Sequence, residues 1–195
     1  MSKIVSVMYI SMDGVVEEPA WTGPFWNDDH AKFQAGQLSQ TRALLLGRVT
    51  YDGMSKAWPQ MEAAGEDVGV MNSIPKYVAS TTLQDPTWNA TVIEGDVAEA
   101  VAKLKAEEGK DLLIYGSGDL VNHLIEHDLI DELKLFLHPV VVGKGKRLFP
   151  DGAETKTWKL AGTHAFSSGA IVLDYRPAHG EPGPGVEARG TKHAL

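Results

Sequence analysis

The 195 residues contain no cysteine. That excludes disulfides, thiolate metal sites and cysteine nucleophiles, and it makes a reducing, cytoplasmic setting the expectation. No apolar run approaches the roughly 20 residues needed to cross a bilayer, so no membrane partner is expected. The opening, Met1-Ser2-Lys3-Ile4-Val5-Ser6-Val7, lacks the apolar stretch of a secretion signal and reads directly as a strand. Positive charge is in deficit: 18 Lys and Arg face 26 Asp and Glu, a formal charge of −8. Nucleic-acid partners need basic stripes, and none is expected here. No internal repeat is present. What is there, 43% hydrophobic and 23% charged residues, has the balance of one globular domain with a substantial core.

Patterning divides the chain. Residues 3–10 alternate and are β-branched, which predicts a strand, with Asp13-Gly14 as the turn after it. Residues 17–27 are a loop rich in Pro, Gly and Trp. Asn27 or Asp28 can cap a helix running to about Leu38. Buried strands are expected at 42–46 and 111–115, with further strands at 74–80 and 91–94. A short helix over 49–55 gives way to a loop over 59–73 with weak helical character. Apolar residues at 97, 98, 101, 102 and 104 mark an amphipathic helix, and 119–127 another. Residues 131–137 alternate as a strand, and 156–165 with 169–176 read as a closing hairpin. From Pro177 the chain is Pro- and Gly-rich without periodicity, which divides it into a domain over 1–176 and a disordered tail over 177–195. Strands alternating with helices and then strands alone imply an α/β fold. Its sheet is mostly parallel, with antiparallel strands at one edge.

Two glycine turns stand out. Ala43-Leu44-Leu45-Leu46-Gly47-Arg48-Val49-Thr50-Tyr51 and Leu112-Leu113-Ile114-Tyr115-Gly116-Ser117-Gly118-Asp119-Leu120 each run from a buried strand through glycine into a helix. Such junctions leave unpaired N–H groups at the positive end of a helix dipole, where phosphate binds. One alone is more often a tight turn. Two in one small domain can hold both ends of a dinucleotide.

Other patterns have plainer readings. His123-x-x-Glu126-His127 fits a zinc-protease spacing, but the segment continues a helix whose apolar stripe is Leu120, Val121, Leu124 and Ile125. No metal site is expected. The glycosylation triplet Asn89-Ala90-Thr91 matters only in a secreted chain. Trp21, Phe25 and Trp26 either line a substrate pocket or anchor their loop. Lys144, Lys146 and Arg147 either receive a substrate phosphate or face solvent.

Gly47-Arg48-x-Thr50-Tyr51 and Gly116-Ser117-Gly118, in that order after buried strands, resemble the two cofactor turns of dihydrofolate reductase. Ser11-Met12-Asp13-Gly14 and His138-Pro139-Val140-Val141-Val142-Gly143-x-Gly145-x-x-Leu148-Phe149 are more similar to the related reductase domain of bacterial riboflavin biosynthesis, here standing alone. The resemblance covers residues 3–176. It implies a dihydrofolate-reductase-like three-layer α/β/α fold and a homodimer, which would use the apolar region Ile130 to Val142. It also implies NADPH as cofactor and hydride transfer to a small heterocycle or imine. The reaction would be of the dihydrofolate reductase or 5-amino-6-(5-phosphoribosylamino)uracil reductase type. A non-catalytic NADPH-binding or regulatory protein that keeps the fold is the alternative.

Carried onto this sequence, the resemblance makes Gly47, Arg48 and Thr50 contacts to cofactor phosphate. Gly116, Ser117, Gly118, Asp119 and Leu120 would wrap the pyrophosphate, and Ser80 and Thr81 would meet the adenosine 2′-phosphate. Asp13 and Asp29 are the candidate catalytic acids, with water as the other proton source. Asp29-His30-Ala31-Lys32-Phe33 resembles the acidic helix segment of folate reductases. Asp28 and Asp29 also sit where first-turn carboxylates stabilise a helix, and Asp13-Gly14 is also an ordinary turn pair.

Overall fold

The computed structural model describes residues 1–178. The tail expected over 177–195 lies, from residue 179 on, outside the described residues. Strand β1 (Ile4–Ser11) is buried along almost its whole length, as a strand covered on both faces must be. A 3₁₀ segment (Pro19–Phe25) leads to α1 (Asp28–Ser39), which Asn27 caps by accepting the His30 N–H at 3.1 Å. Then follow β2 (Thr41–Gly47), α2 (Arg48–Ala63), α3 (Gly69–Ser73), β3 (Lys76–Ala79) and β4 (Ala90–Val92). Helix α4 (Val97–Ala106) is capped by Asp96, which accepts from Glu99 N–H at 2.9 Å. The chain continues through β5 (Asp111–Tyr115), α5 (Gly118–Glu126), β6 (Glu132–His138), β7 (Trp158–Ala165) and β8 (Ile171–Pro177).

Eight strands form one sheet in the order β4-β3-β2-β5-β1-β6-β8-β7. The six from β4 to β6 are parallel, while β8 and β7 pair antiparallel at the end. This is the expected α/β sheet. One face packs Leu45, Leu112 and Ile114 against Val101 of α4 and Leu120, Val121 and Leu124 of α5. The opposite face packs Val5, Val7, Leu44 and Leu113 against Phe33 of α1, Met54 and Trp58 of α2, and Met71 of α3. The sheet is therefore covered by helices on both sides.

Three expectations need correction. Helix α2 does not stop near residue 55: it runs through Pro59 to Ala63. Proline removes one helical donor, but Met54 and Trp58 bury apolar surface on the core, and that packing outweighs a single hydrogen bond. Strand β8 includes Pro177, which pairs with Trp158, and Ala178 N–H donates to the Thr157 carbonyl at 3.1 Å. A proline at a strand end loses no ladder donor that matters. Finally, the apolar region 130–142 is not an edge: β6 lies between β1 and β8, and β7 forms that edge of the sheet.

Candidate active site

Strands β2 and β5 are parallel neighbours whose following helices leave toward opposite faces, α2 to one and α5 to the other. In an open α/β sheet such a divergence opens a crevice beyond the strand ends, where ligands bind. Both glycine turns are there, and they touch. The Gly47 N–H donates to Ser117 Oγ at 2.8 Å. A Cβ on Gly47 would lie 3.4 Å from the Ser117 side chain, and one on Gly116 would lie 3.5 Å from Thr50 Cγ2. Gly116 and Ser117 are both left-handed, at φ 65° and 63°. Gly116 adopts that conformation freely because it has no Cβ, whereas Ser117 holds it against the usual preference of a residue with a side chain. The first N–H groups of α5, at Gly118, Asp119 and Leu120, have no acceptor within the helix. Leu120 packs its side chain into the core beneath them. These residues fit a pyrophosphate: open backbone, free donors and two helix N-termini in one crevice.

Arg48 is already aimed. Its Nε lies 2.9 and 2.8 Å from the two carboxylate oxygens of Asp52, and Nη1 donates to Thr82 Oγ1 at 3.2 Å. This places the guanidinium beside the end of β3, where the 2′-phosphate contact was expected. The partner there is Thr82. Ser80 closes a local turn instead, its hydroxyl accepting from Thr82 N–H at 3.2 Å and Leu83 N–H at 3.0 Å. Thr81 is exposed. Asp119 is ion-paired with Lys146, which ties the loop after β6 to the start of α5.

The two candidate acids do not meet. Asp13 Oδ1 accepts from Ser11 Oγ at 2.6 Å and from Val142 N–H at 3.0 Å, and Oδ2 accepts from Gly143 N–H at 2.8 Å. Arg147 Nε donates to the Asp13 carbonyl at 3.0 Å. The Ser11 hydroxyl first, then the two backbone donors, pull the carboxyl down to about 2. At neutrality it is ionised, an anchor for donors rather than a proton source. Asp29 is exposed on the first turn of α1 and accepts from Ser167 Oγ at 3.1 Å, tying the helix to the β7–β8 turn. Of the basic loop residues, Lys146 and Arg147 are thus engaged within the chain.

Beside the crevice, over the ends of β1 and β6, lies a box that the sequence did not disclose. In the parallel register Tyr9 pairs with Phe136 and Ser11 with His138. His138 and His30 are both fully buried. Their rings lie 5.7 Å apart, and His30 is stacked between Trp26 and Phe136, with both ring-centre distances 4.1 Å. Trp21 and Phe25 from the 3₁₀ segment stand edge-on to His138 at 5.5 and 5.8 Å. So the three loop aromatics do anchor their loop, and the surface they anchor to is this box. Burial drives the His30 imidazole down to about 4 and pulls His138 below its ordinary value. Both are neutral at pH 7. On α5, His123 and His127 lie ring to ring at 4.5 Å, with His127 Nδ1 2.9 Å from the His123 carbonyl.

The model of the RibD C-terminal domain matches residues 2–172. The chain belongs to the RibD C-terminal domain family. An uncharacterised relative, YyaP of Bacillus subtilis (strain 168), is 31% identical over 180 residues, covering 89% of this chain and 94% of that one. Two solved structures share the fold. One is a Shewanella sp. PV-4 protein provisionally assigned to riboflavin biosynthesis, with a TM-score of 0.70 and 20% identity. The alignment covers 91% of this chain and 99% of that one. The other is a diaminohydroxyphosphoribosylaminopyrimidine deaminase/5-amino-6-(5-phosphoribosylamino)uracil reductase of Thermotoga maritima, with a TM-score of 0.58 and 15% identity. Here the alignment covers 90% of this chain and 56% of that one. The family is the one to which the resemblance to the reductase domain of bacterial riboflavin biosynthesis pointed.

Proposed function

We propose that this protein is an NADPH-dependent reductase acting on a small heterocycle or imine, such as the ribosylaminopyrimidine of riboflavin synthesis or a pterin-like molecule. The observation that carries the reading is the pair of glycine turns joined by Gly47 N–H to Ser117 Oγ at a crevice between diverging helices. Gly47, Thr50, Gly116, Ser117, Gly118, Asp119 and Leu120 would hold the pyrophosphate. Arg48, with Thr82 beside it and Ser80 shaping the turn, would meet the 2′-phosphate. NADPH bound there supplies hydride. The chain's own residues orient the two partners, which is most of what such a reaction asks of a protein. Asp13 holds the loop at 142–143 against the end of β1 and so shapes the site. With Asp13 ionised and Asp29 at the surface, we assign the proton to water. The test follows NADPH absorbance with pterin, pyrimidine and imine acceptors. Oxidation with one of them supports the reading. Calorimetric binding of NADPH without oxidation by any acceptor favours the non-catalytic alternative.

For assembly we propose a homodimer. Leu135, Leu137, Leu160, Ile171, Leu173 and Tyr175 share one face of β6, β8 and β7, and each is partly or largely exposed. An apolar face of this kind beside an open edge strand needs a cover. Light scattering of the protein at micromolar concentration should give twice the chain mass, and Leu160→Lys should halve it. A wild-type monomer would refute the dimer.

A further inference from the structure

The polar atoms of the histidine box do not satisfy one another. Neither ring nitrogen of His30 makes a hydrogen bond of good geometry, although the Phe25 backbone faces the ring, and the Tyr115 hydroxyl, at the end of β5 beside the Gly116 turn, makes none either. His138 is the informative member. Its Nδ1 lies 2.9 Å from the Phe136 carbonyl and the Ile10 carbonyl also faces the ring; we assign the ring proton to Nδ1, which alone has hydrogen-bond geometry to an acceptor. That leaves Nε2 as a lone-pair acceptor, fully buried and without a donor. Buried polar atoms are paired in the great majority of native structures. Two orphans at the carboxyl ends of β5 and β6, the strands that flank β1, with His30 of α1 beside His138, therefore mark where the polar edge of a ligand goes. The surrounding walls are flat and aromatic: Tyr9 at 5.6 Å and Phe136 at 5.0 Å from the His138 ring, with Trp21 and Phe25 standing over it.

We propose that His138 determines substrate specificity, its Nε2 accepting an N–H from a flat, uncharged nitrogen heterocycle that enters the box. The word substrate rests on the reductase reading above; the site itself does not. The heterocycle must be uncharged because the box offers aromatic faces and neutral imidazoles, with no carboxylate hydrogen-bonded to either ring to balance a cation. It must carry a donor because an analogue without one leaves Nε2 buried and unpaired. Trp21 and Phe25 give way to admit it, so binding alters tryptophan fluorescence.

Two probes built on the same ring separate these requirements: 4-aminopyrimidine, which has an N–H donor, and 4-methoxypyrimidine, which has none, with the His138→Phe variant below as the control for the extra methyl group of the second. They are titrated into protein carrying ¹⁵N-labelled histidine rings, with and without NADPH. The expected result is a shift of the His138 Nε2 resonance and fluorescence quenching by 4-aminopyrimidine, with 4-methoxypyrimidine binding at least tenfold more weakly. His138→Phe keeps the ring and removes Nε2, and in it the tenfold preference should vanish. His138→Gln restores an acceptor and should recover part of the preference. Equal binding of the two probes to wild type, a preference that survives in His138→Phe, or an Nε2 resonance unmoved by either probe overturns the assignment. The last readout needs no variant, so a substitution that fails to fold leaves the test intact. Failure of NADPH to bind would sink the reductase reading alone, since the probe titration without cofactor still reports on Nε2.

Discussion

The crevice between β2 and β5 and the box over β1 and β6 are neighbours built on different principles. The crevice is made of backbone: glycines, helix N-termini and one hydroxyl, each fixed by a few consecutive residues. The box is made of side chains drawn from a strand end, a 3₁₀ segment, a helix and a distant strand. The crevice tolerates charge and faces outward. The box excludes water and holds its histidines neutral. On the reductase reading proposed above, this division suits a common cofactor and a particular small molecule. Backbone donors recognise phosphate whatever else is attached, whereas side chains in a dry enclosure discriminate between similar rings.

The largest effect that tests the division is the pH response of the box. His30 titrates near 4 when folded and near 6.5 when unfolded. Between those values the unfolded chain binds more protons, so stability is fully present above about pH 6.5 and is lost as pH falls toward 4. The shift corresponds to about 3 kcal/mol at full loss. Urea unfolding from pH 7 to 4 should show it, and His30→Phe should flatten the profile. A wild-type profile that is flat across this range would mean the box admits water.

In the crevice, backbone geometry should dominate. Gly116→Ala forces a Cβ into the left-handed region and should cost about 1–2 kcal/mol by thermal or urea unfolding. The same change should weaken NADPH at least tenfold in calorimetry. Gly47 is at φ −79°, which any residue adopts, so Gly47→Ala should cost less than Gly116→Ala. Equal costs would show that contact with Ser117, not conformation, sets the turn.

A smaller effect separates the two phosphates. Arg48→Ala should reduce the preference for NADPH over NADH by about tenfold, or roughly 1.4 kcal/mol, measured by calorimetry with each cofactor. An equal loss for both would place Arg48 on the pyrophosphate. The smallest effect is expected at Asp29. As an exposed first-turn carboxylate tied to Ser167, Asp29→Asn should change stability by under about 1 kcal/mol and leave turnover intact. A fall of 10²–10⁴-fold, the range for general acid catalysis, would give Asp29 a chemical role and extend the reactive site beyond crevice and box.

The same division decides what could be read from the sequence. Gly47 and Gly116 were legible because strand, glycine and helix start are adjacent in the chain. So were the buried parallel strands and the antiparallel ending, since period and burial are local patterns. That Arg48 reaches Thr82 at the end of β3 was not legible, because a polar strand end does not reveal which hydroxyl a neighbouring helix will meet. Helix α2 was cut short because Pro59 is a local signal, whereas the Met54 and Trp58 contacts that outweigh it are tertiary. His30 was hidden among the charges of Asp28-Asp29-His30-Ala31-Lys32. His138 did leave a trace: Leu133, Leu135 and Leu137 alternate with Phe136 and His138, which puts one imidazole on an aromatic face.

By itself the sequence determined an α/β sheet with an antiparallel ending, no thiol chemistry, and two strand–glycine–helix turns. Each follows from composition, from a period of two or 3.6, or from a glycine where Cβ cannot go. Only the tertiary structure decided that the two turns share one crevice, because the order of β2 and β5 in the sheet is a long-range choice. It alone decided that the Asp13 carboxylate, besides its local bond to Ser11, clamps the loop after β6, since the donors at 142 and 143 come from the far end of the domain. And it alone placed His30 against Phe136 and His138, because burial, which holds those imidazoles neutral, is a property of the packed molecule and of no segment within it.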